Sequence, residues 1–530
     1  MPPPSFSSQS SFQVHAPRGT VALLKEATQA VYAHLQKGSD GGAAWTALQA
    51  LLADLHLDTD MSDPEWIHAP EPERSGACES IAERLHVDLI DMHGGADAAC
   101  MLRVVEQAAI LLGPGRLIAH WAQALVFPAL SQSHALSYAD VARAHRLCVY
   151  MMLSVPLEVY DGVQDTHAYR RDVSPASDAA LAFTQSVFML YAEGPVPGRH
   201  PALASLDTIL SMYSETRPTP FLHHVALTLS PTCTHLLHAL ILFLQRHTMH
   251  TYRITSTCLL EQLLALLVTL DDATVLEEGI KCLVMILPHV PYWLSRSEPN
   301  KLPALFRLYA HVVTVFVHAN EHVRLLFSTV YGLFPGVFLW FLRAPDACLA
   351  HLGDSVPWDE NDTLPLQRGS DIYLEHHLVH PQLAKHEPAS DEPAGRMWQH
   401  SDPADLLAMC QRLYVPTTSI PDRDVPLPMG DESGDVRLRS EWRFELYMRE
   451  QLLMHIGCLH RDRIAGTAEE EQQQQLQDTN RMLRTQLQTL QAHMERQRAE
   501  VQAANARHMQ WESELTTKLN TYRDERRGWM

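Results

Sequence analysis

Residues 273–287 read ATVLEEGIKCLVMIL. Leu276, Ile280, Leu283 and Leu287 recur three or four apart, so one face of a helix carries all four. Asp271 and Asp272 precede it as caps, and Pro288 and Pro291 end it. The next stretch outward runs from Lys301, with Pro303 near its first turn, into LFRLYAHVVTVF (305–316). Leu305, Leu308, Tyr309, Val312 and Phe316 share a face there. Asn320 then stands as an N-cap before EHVRLLFSTVYGLF (321–334), whose stripe is Val323, Leu326, Phe327 and Val330 and whose stop is Pro335. No strand-like alternation interrupts the run from Asp271 to Arg343. A helix that is apolar on one face needs neighbours, and stacking helix pairs in series supplies them. The fold class that follows is all-α: a HEAT-like helical-repeat solenoid, with a coiled coil after it.

The same grammar extends to both sides. Residues 1–18 are rich in Pro and Ser and are expected to be disordered. Helical patterning begins near Val21 and continues through VALLKEATQAVYAHL, IAERLHVDLIDM, DAACMLRVVEQAAILL, YADVARAHRLCVYMMLSV and THLLHALILFLQRH. It is broken by a polar, proline-containing stretch over Asp58–Ser75 and a loop-like one over Asp161–Ser177. Residues 19–345 are therefore assigned to the helical-repeat domain and 346–414 to an irregular helical extension, with 345–370 loop-like. The Pro-, Asp- and Ser-rich 415–439 is assigned as a linker. Residues 440–465 form a docking helix. Arg443, Arg449, Arg461 and Arg463 lie in and beside its apolar Leu446, Leu452, Leu453 and Ile456, and docking within the chain is the favoured reading.

From Leu476 the spacing changes to heptads. The seam runs Leu476, Asn480, Leu483, Leu487, Leu490, Met494, Gln497, Val501, Ala504, His508, Trp511, Leu515, Lys518 and Tyr522, and ten of these fourteen are apolar or aromatic, which favours a coiled coil over a lone helix. Residues 470–530 are assigned to it. The pattern stops without a cap signal, so a longer coil or a completing partner is expected. The expected partner-binding residues are Leu476, Leu483, Leu487, Leu490, Met494, Val501, Trp511, Leu515 and Tyr522.

Composition narrows the chemistry. A formal net charge of −21 argues against nonspecific nucleic-acid binding, which calls for a Lys/Arg excess. The nine Cys hold no CxxC pair and suggest reduced thiols in an intracellular chain. The N-terminus has no apolar core of a signal peptide. The greasiest runs fall short of the roughly 20 residues needed to span a bilayer. Among the 31 His, the one suggestive group is EHHLVH, where His376 and His380 would share a face if helical, with His386 downstream. No HExxH accompanies them, and the better reading is solvated or locally bonded imidazoles; His223 and His224 are less specific still. GPGR at Gly113 is a turn and lacks the phosphate-loop pattern. Glu277 and Glu278 are neighbours that cannot face each other on a helix, so they are no acid/base pair. Cys258 and Cys282 lie in apolar stretches as inert core thiols. No catalytic residue, metal ligand or cofactor site is expected.

Three stretches carry a resemblance: TVLEEGIKCLVMILPHVP (274–291), HVRLLFSTVYGLFPGVFLWFLR (322–343) and LVHPQLAKHEPASDEPAGRMWQHSDPADLLAMC (378–410). The Ile286–Leu287–Pro288 step, Val330 through Pro335 with Phe338, Phe341, Leu342 and Arg343, the His380–Pro381–Leu383 motif and Trp398 ahead of Ser401–Asp402 together resemble the hamartin (tuberous sclerosis 1 protein) family, in a fungal-type form. FELYMREQLLMHIGCLHR (444–461) is similar to that family's entry into its coiled coil. The resemblance implies a non-enzymatic scaffold that self-associates and binds a tuberin-like GTPase-activating subunit acting on a Rheb-type small GTPase. It thereby restrains TOR complex 1 in the cytoplasm and, peripherally, at lysosomal or vacuolar membranes. The stretches near 58–76 and 345–370 depart from the family pattern. The coiled coil is also shorter than the family's, whose far end binds a TBC-domain third subunit. The competing readings are a tethering or transport adaptor on the same architecture and, with less support, a histidine-bound metal hydrolase.

Overall fold

The computed structural model describes residues 18–37, 41–55, 76–94, 96–131, 136–157, 175–194, 203–231, 234–296, 301–316, 318–383, 401–415 and 432–528, together with Leu57, Tyr160 and Trp398. The expected disordered N-terminus, nearly all of the stretches at 58–76 and 161–177, and the core of the 415–439 linker lie outside these residues. The described chain is helical throughout, and its β pairing amounts to one isolated bridge between His377 and Tyr414. It divides into two units, Met1–Leu452 and Leu453–Met530.

The central helices form as their stripes dictate. Asp272 caps Ala273–Ile286, its Oδ1 accepting from the Thr274 backbone N–H at 2.8 Å, so of the two aspartates the second is the cap. A single 3-10 turn, Leu287–His289, follows, and Pro291 opens a short new helix, Pro291–Arg296. Pro303 lies in the first turn of Leu302–Val315. Asn320 caps Glu321–Leu333, accepting from His322 N at 2.8 Å and Val323 N at 3.3 Å. Pro335 ends that helix and starts Pro335–Arg343, whose axis turns by 118°.

Packing runs in two rows. In one, Tyr138–Leu153 packs on Leu203–Thr216, which packs on Thr234–Arg246, then Ala273–Ile286, Glu321–Leu333 and Pro403–Arg412. In the other, Pro218–Thr228 packs on Leu259–Val268, then Leu302–Val315 and Thr363–Leu374. Each helix meets the equivalent helix of the next pair, the arrangement of a helical repeat. One buried cluster, from Leu24 to Met448, runs through both rows. Two glycines permit close approach, Gly279 between the two rows and Gly332 within the first. A Cβ at Gly279 would meet Leu267 Cγ at 3.0 Å, and one at Gly332 would meet the backbone Cα of Cys410 at 3.0 Å.

Residues 345–370, expected as loop, instead contain Pro345–His351 and most of Thr363–Leu374. The latter buries only Leu366, Ser370 and Tyr373, a stripe too thin to stand out by periodicity. A helix of 97 residues then spans Glu432–Gly528.

A candidate partner-binding helix and its anchor

The motif residues that carried the resemblance meet in one place, as packing. Phe327 lies with its ring centroid 5.5 Å from Phe338, 5.9 Å from Tyr373 and 4.7 Å from His377. Tyr331 receives the His380 backbone N–H at 2.9 Å, and the Trp398 ring stands edge-on to Phe334 at 5.1 Å. Cys410 is fully buried beside Thr329. These residues build a wall rather than a pocket. Each is fixed by close contact with another.

The first turns of the Glu432–Gly528 helix, up to Leu452, are anchored on this body by charge. Lys281 has no solvent exposure, and its Nζ lies 2.9 Å from Glu278 Oε1 and 2.5 Å from Glu441 Oε2. Ser440 Oγ donates to the other Glu278 oxygen. His238 Nε2 stands 3.4 Å from the same carboxylate without a well-formed hydrogen bond, and His322 Nε2 is 3.4 Å from Glu441. Next to this network, Arg437 pairs with Glu277 at 2.5 Å, and the Asn320 side chain donates to the same carboxylate at 3.1 Å. Burial opposes ionisation of Glu278, but the neighbouring His238 and Lys281 outweigh it and hold the carboxyl at about 2. For Glu441, burial is likewise outweighed by His322 and Lys281, and it too sits at about 2. Burial alone would lower the Lys281 pKa, and the two carboxylates raise it instead. The site is thus a paired, ionised network, the form in which buried charge is tolerated.

Apolar contacts complete the anchor. Phe444, Tyr447 and Met448 are buried with Ser440 and Gln451, and Tyr447 Oη donates to the Met285 carbonyl at 3.1 Å. The docked stripe therefore differs from the expected one. Leu452 is exposed and Leu446 only half-buried, because the burying face includes two polar residues that apolarity alone passes over. Sequence reading also passed over the Glu278–Lys281 pair. Its visible signal was two charges three residues apart inside an otherwise apolar helix face.

From Leu453 onward the helix has a different surface. Leu476, Leu483, Leu487, Leu490, Met494, Val501, Trp511, Leu515 and Tyr522 are all exposed, from 40% at Leu515 to 69% at Tyr522. Met482, Met509 and Leu519 are exposed on the same helix and were not in the expected set. At 1.5 Å per residue the 453–528 stretch is about 110 Å long.

The suspected imidazole pair does not share a helical face, because Thr363–Leu374 ends before it. His376 lies in the following turn, and His380 is buried against Tyr331. His224 is buried with Nε2 2.9 Å from Tyr160 Oη, and burial, then the His223 charge, push it down to about 3. Burial pushes the Cys410 thiol up to about 12. Cys282 is buried, and Cys258 half-buried. Among the described residues no three His, Cys, Asp or Glu are placed to hold a metal ion. No single described helix is long and apolar enough to cross a membrane.

Two rows of stacked helices, a wall of interlocked aromatic residues and a long helix with an exposed apolar stripe define an all-α helical-repeat protein. Residues 208–424 match the family described as "Hamartin, N-terminal domain". The tuberous sclerosis 1 protein homolog of Schizosaccharomyces pombe is 37% identical over 91 residues, covering 17% of this chain and 10% of its own length. Hamartin of Mus musculus is 24% identical over 275 residues, 46% of this chain and 22% of its own length. The solved "TSC1 N-terminal domain" superposes with a TM-score of 0.51 at 16% identity, covering 74% of this chain and all of that one. Over residues 208–424 the chain is thus similar to the hamartin N-terminal domain, in sequence and in fold. The matched stretches span between a tenth and a quarter of those full-length relatives.

Proposed function

We propose that this chain is a non-enzymatic scaffold subunit that binds and stabilises a tuberin-like GTPase-activating protein for a Rheb-type small GTPase, and so restrains TOR complex 1 signalling. The observation that carries this reading is the run of exposed apolar residues from Leu476 to Tyr522 on an unbroken helix. Water disfavours such a stripe, and the cheapest way to cover it is a second stripe of the same period. In this reading residues 19–345 form the repeat body, 346–414 its extension, 440–465 the docking helix and 470–530 the pairing segment. The pairing segment serves both self-association and the GTPase-activating subunit. A bound partner would protect the folded form of that subunit by mass action. The setting is the cytoplasm, with peripheral association at a lysosomal or vacuolar membrane. No nucleic acid takes part.

The test replaces Leu483, Leu487 and Leu490 together by Ser in the full chain. Co-purification of a tuberin-like subunit and the sedimentation coefficient of the chain are then compared with the unaltered protein. Loss of both, with helical content retained, supports the reading. An unchanged complex would remove the seam from it.

A further inference from the structure

Ser440 sits at the centre of the anchor, and its surroundings give it a second chemical role. Within the described Glu432–Gly528 helix it is the one serine or threonine with arginine both three residues before it, Arg437, and directly before it, Arg439. Cationic side chains upstream of a hydroxyl are what the acidic substrate groove of a basophilic protein kinase recognises. The hydroxyl itself is fully buried and donates to Glu278, with Glu441 as its sequence neighbour.

We propose that Ser440 is a phosphorylation site for a basophilic protein kinase, and that phosphorylation and docking of the helix's first turns exclude each other. In the transfer, Ser440 Oγ attacks the γ-phosphorus of ATP. The bond from that phosphorus to the β–γ bridging oxygen breaks and ADP leaves, while the hydroxyl proton passes to the kinase's catalytic carboxylate. The product carries close to two negative charges and three acceptor oxygens where a single hydroxyl stood.

The docked anchor has no place for that group. Ser440 has no exposed surface, so the added atoms meet packed neighbours. Glu278 accepts its hydrogen bond, and that bond loses its donor. The nearest buried cation, Lys281, already spans Glu278 and Glu441, and Arg437 is paired with Glu277. Three negative groups would share one ammonium, a like-charge juxtaposition of the kind that disrupts a contact. The kinase therefore acts on the transiently undocked helix, a local opening, and its product keeps the helix undocked.

The experiment treats the full chain with MgATP and the catalytic subunit of cAMP-dependent protein kinase. Phosphate at Ser440 is read by mass spectrometry, and hydrogen exchange is followed over residues 440–451. The expected results are about tenfold faster modification in Phe444→Ala than in the unaltered chain, and exchange about a hundredfold faster once Ser440 carries phosphate. Ser440→Ala should take no phosphate at this position and speed exchange by about tenfold, from the lost hydrogen bond to Glu278, well short of the phosphorylated chain. If Phe444→Ala does not fold, Lys281→Gln supplies the loosened anchor for the same two readings. Absence of phosphate at Ser440 in a variant whose exchange proves the helix undocked overturns the substrate assignment. A phosphorylated chain with unchanged exchange overturns the mutual exclusion.

Discussion

The helix Ala273–Ile286 and the 453–528 stretch carry the same kind of apolar stripe and put it to opposite use. Leu276, Ile280 and Leu283 have no exposure, whereas Leu483, Leu487 and Leu490 are 49–62% exposed. The first stripe is covered because Thr234–Arg246 and Glu321–Leu333 lie against it. The second has no such neighbour within its own unit. Periodicity announces that a face wants covering, and only the rest of the chain decides whether the cover is internal. The contrast extends to charge. In the first unit Lys281 is buried and must be paired, while along the 453–528 stretch pairs such as Arg527–Asp524 stand in water, where an ion pair contributes little.

The largest test of this contrast is Phe327→Ala, which removes the ring shared by Phe338, Tyr373 and His377. It should cost about 3–5 kcal/mol of first-unit stability in urea unfolding. Lys281→Met follows at about 3 kcal/mol, because it leaves the Glu278 carboxylate buried without its cation. Its pH dependence has a definite sign. Glu278 and Glu441 are depressed from 4.5 to about 2 in the folded state, so their contribution is full above 4.5 and is lost as pH falls toward 2. Lys281→Met raises both folded values, and the midpoint of acid unfolding should move to higher pH. Gly332→Ala, pressed against the Cys410 backbone, should cost about 1–3 kcal/mol. At the small end, Leu487→Ser in the exposed seam should leave first-unit stability within about 0.5 kcal/mol and register only in association. A loss as large as that of Phe327→Ala would erase the distinction between the two stripes.

The sequence announced the elements better than their meetings. The stripes of 273–287 and 321–334, the Asn320 and Asp272 caps and the proline stops are local, set by neighbours within a few residues, and they could be read directly. Thr363–Leu374 escaped because Leu366 and Tyr373 are the only apolar residues it buries. His376 and His380 were placed on one face by assuming a helix that in fact ends at Leu374. The anchor escaped for another reason. Glu277 and Arg437 are 160 residues apart, and neither carries a local sign of the other. The Glu278–Lys281 pair could have been flagged, but its partners at 440 and 441 could not.

That separation has a consequence for the ribosome. At ~5–20 residues per second, the interval between synthesis of Glu277 and of Arg437 is about ten to thirty seconds. Throughout it, the Ala273–Ile286 helix can pack on its earlier neighbours, but the Lys281 ammonium has only Glu278 to pair with. The covering residues Phe444, Tyr447 and Met448 do not yet exist. The repeat body is thus born with the face around Glu278 and Lys281 uncovered, and the chain covers it with its own late-arriving helix. A nascent chain halted between these points keeps that face in water, and only synthesis beyond Gln451 supplies its cover.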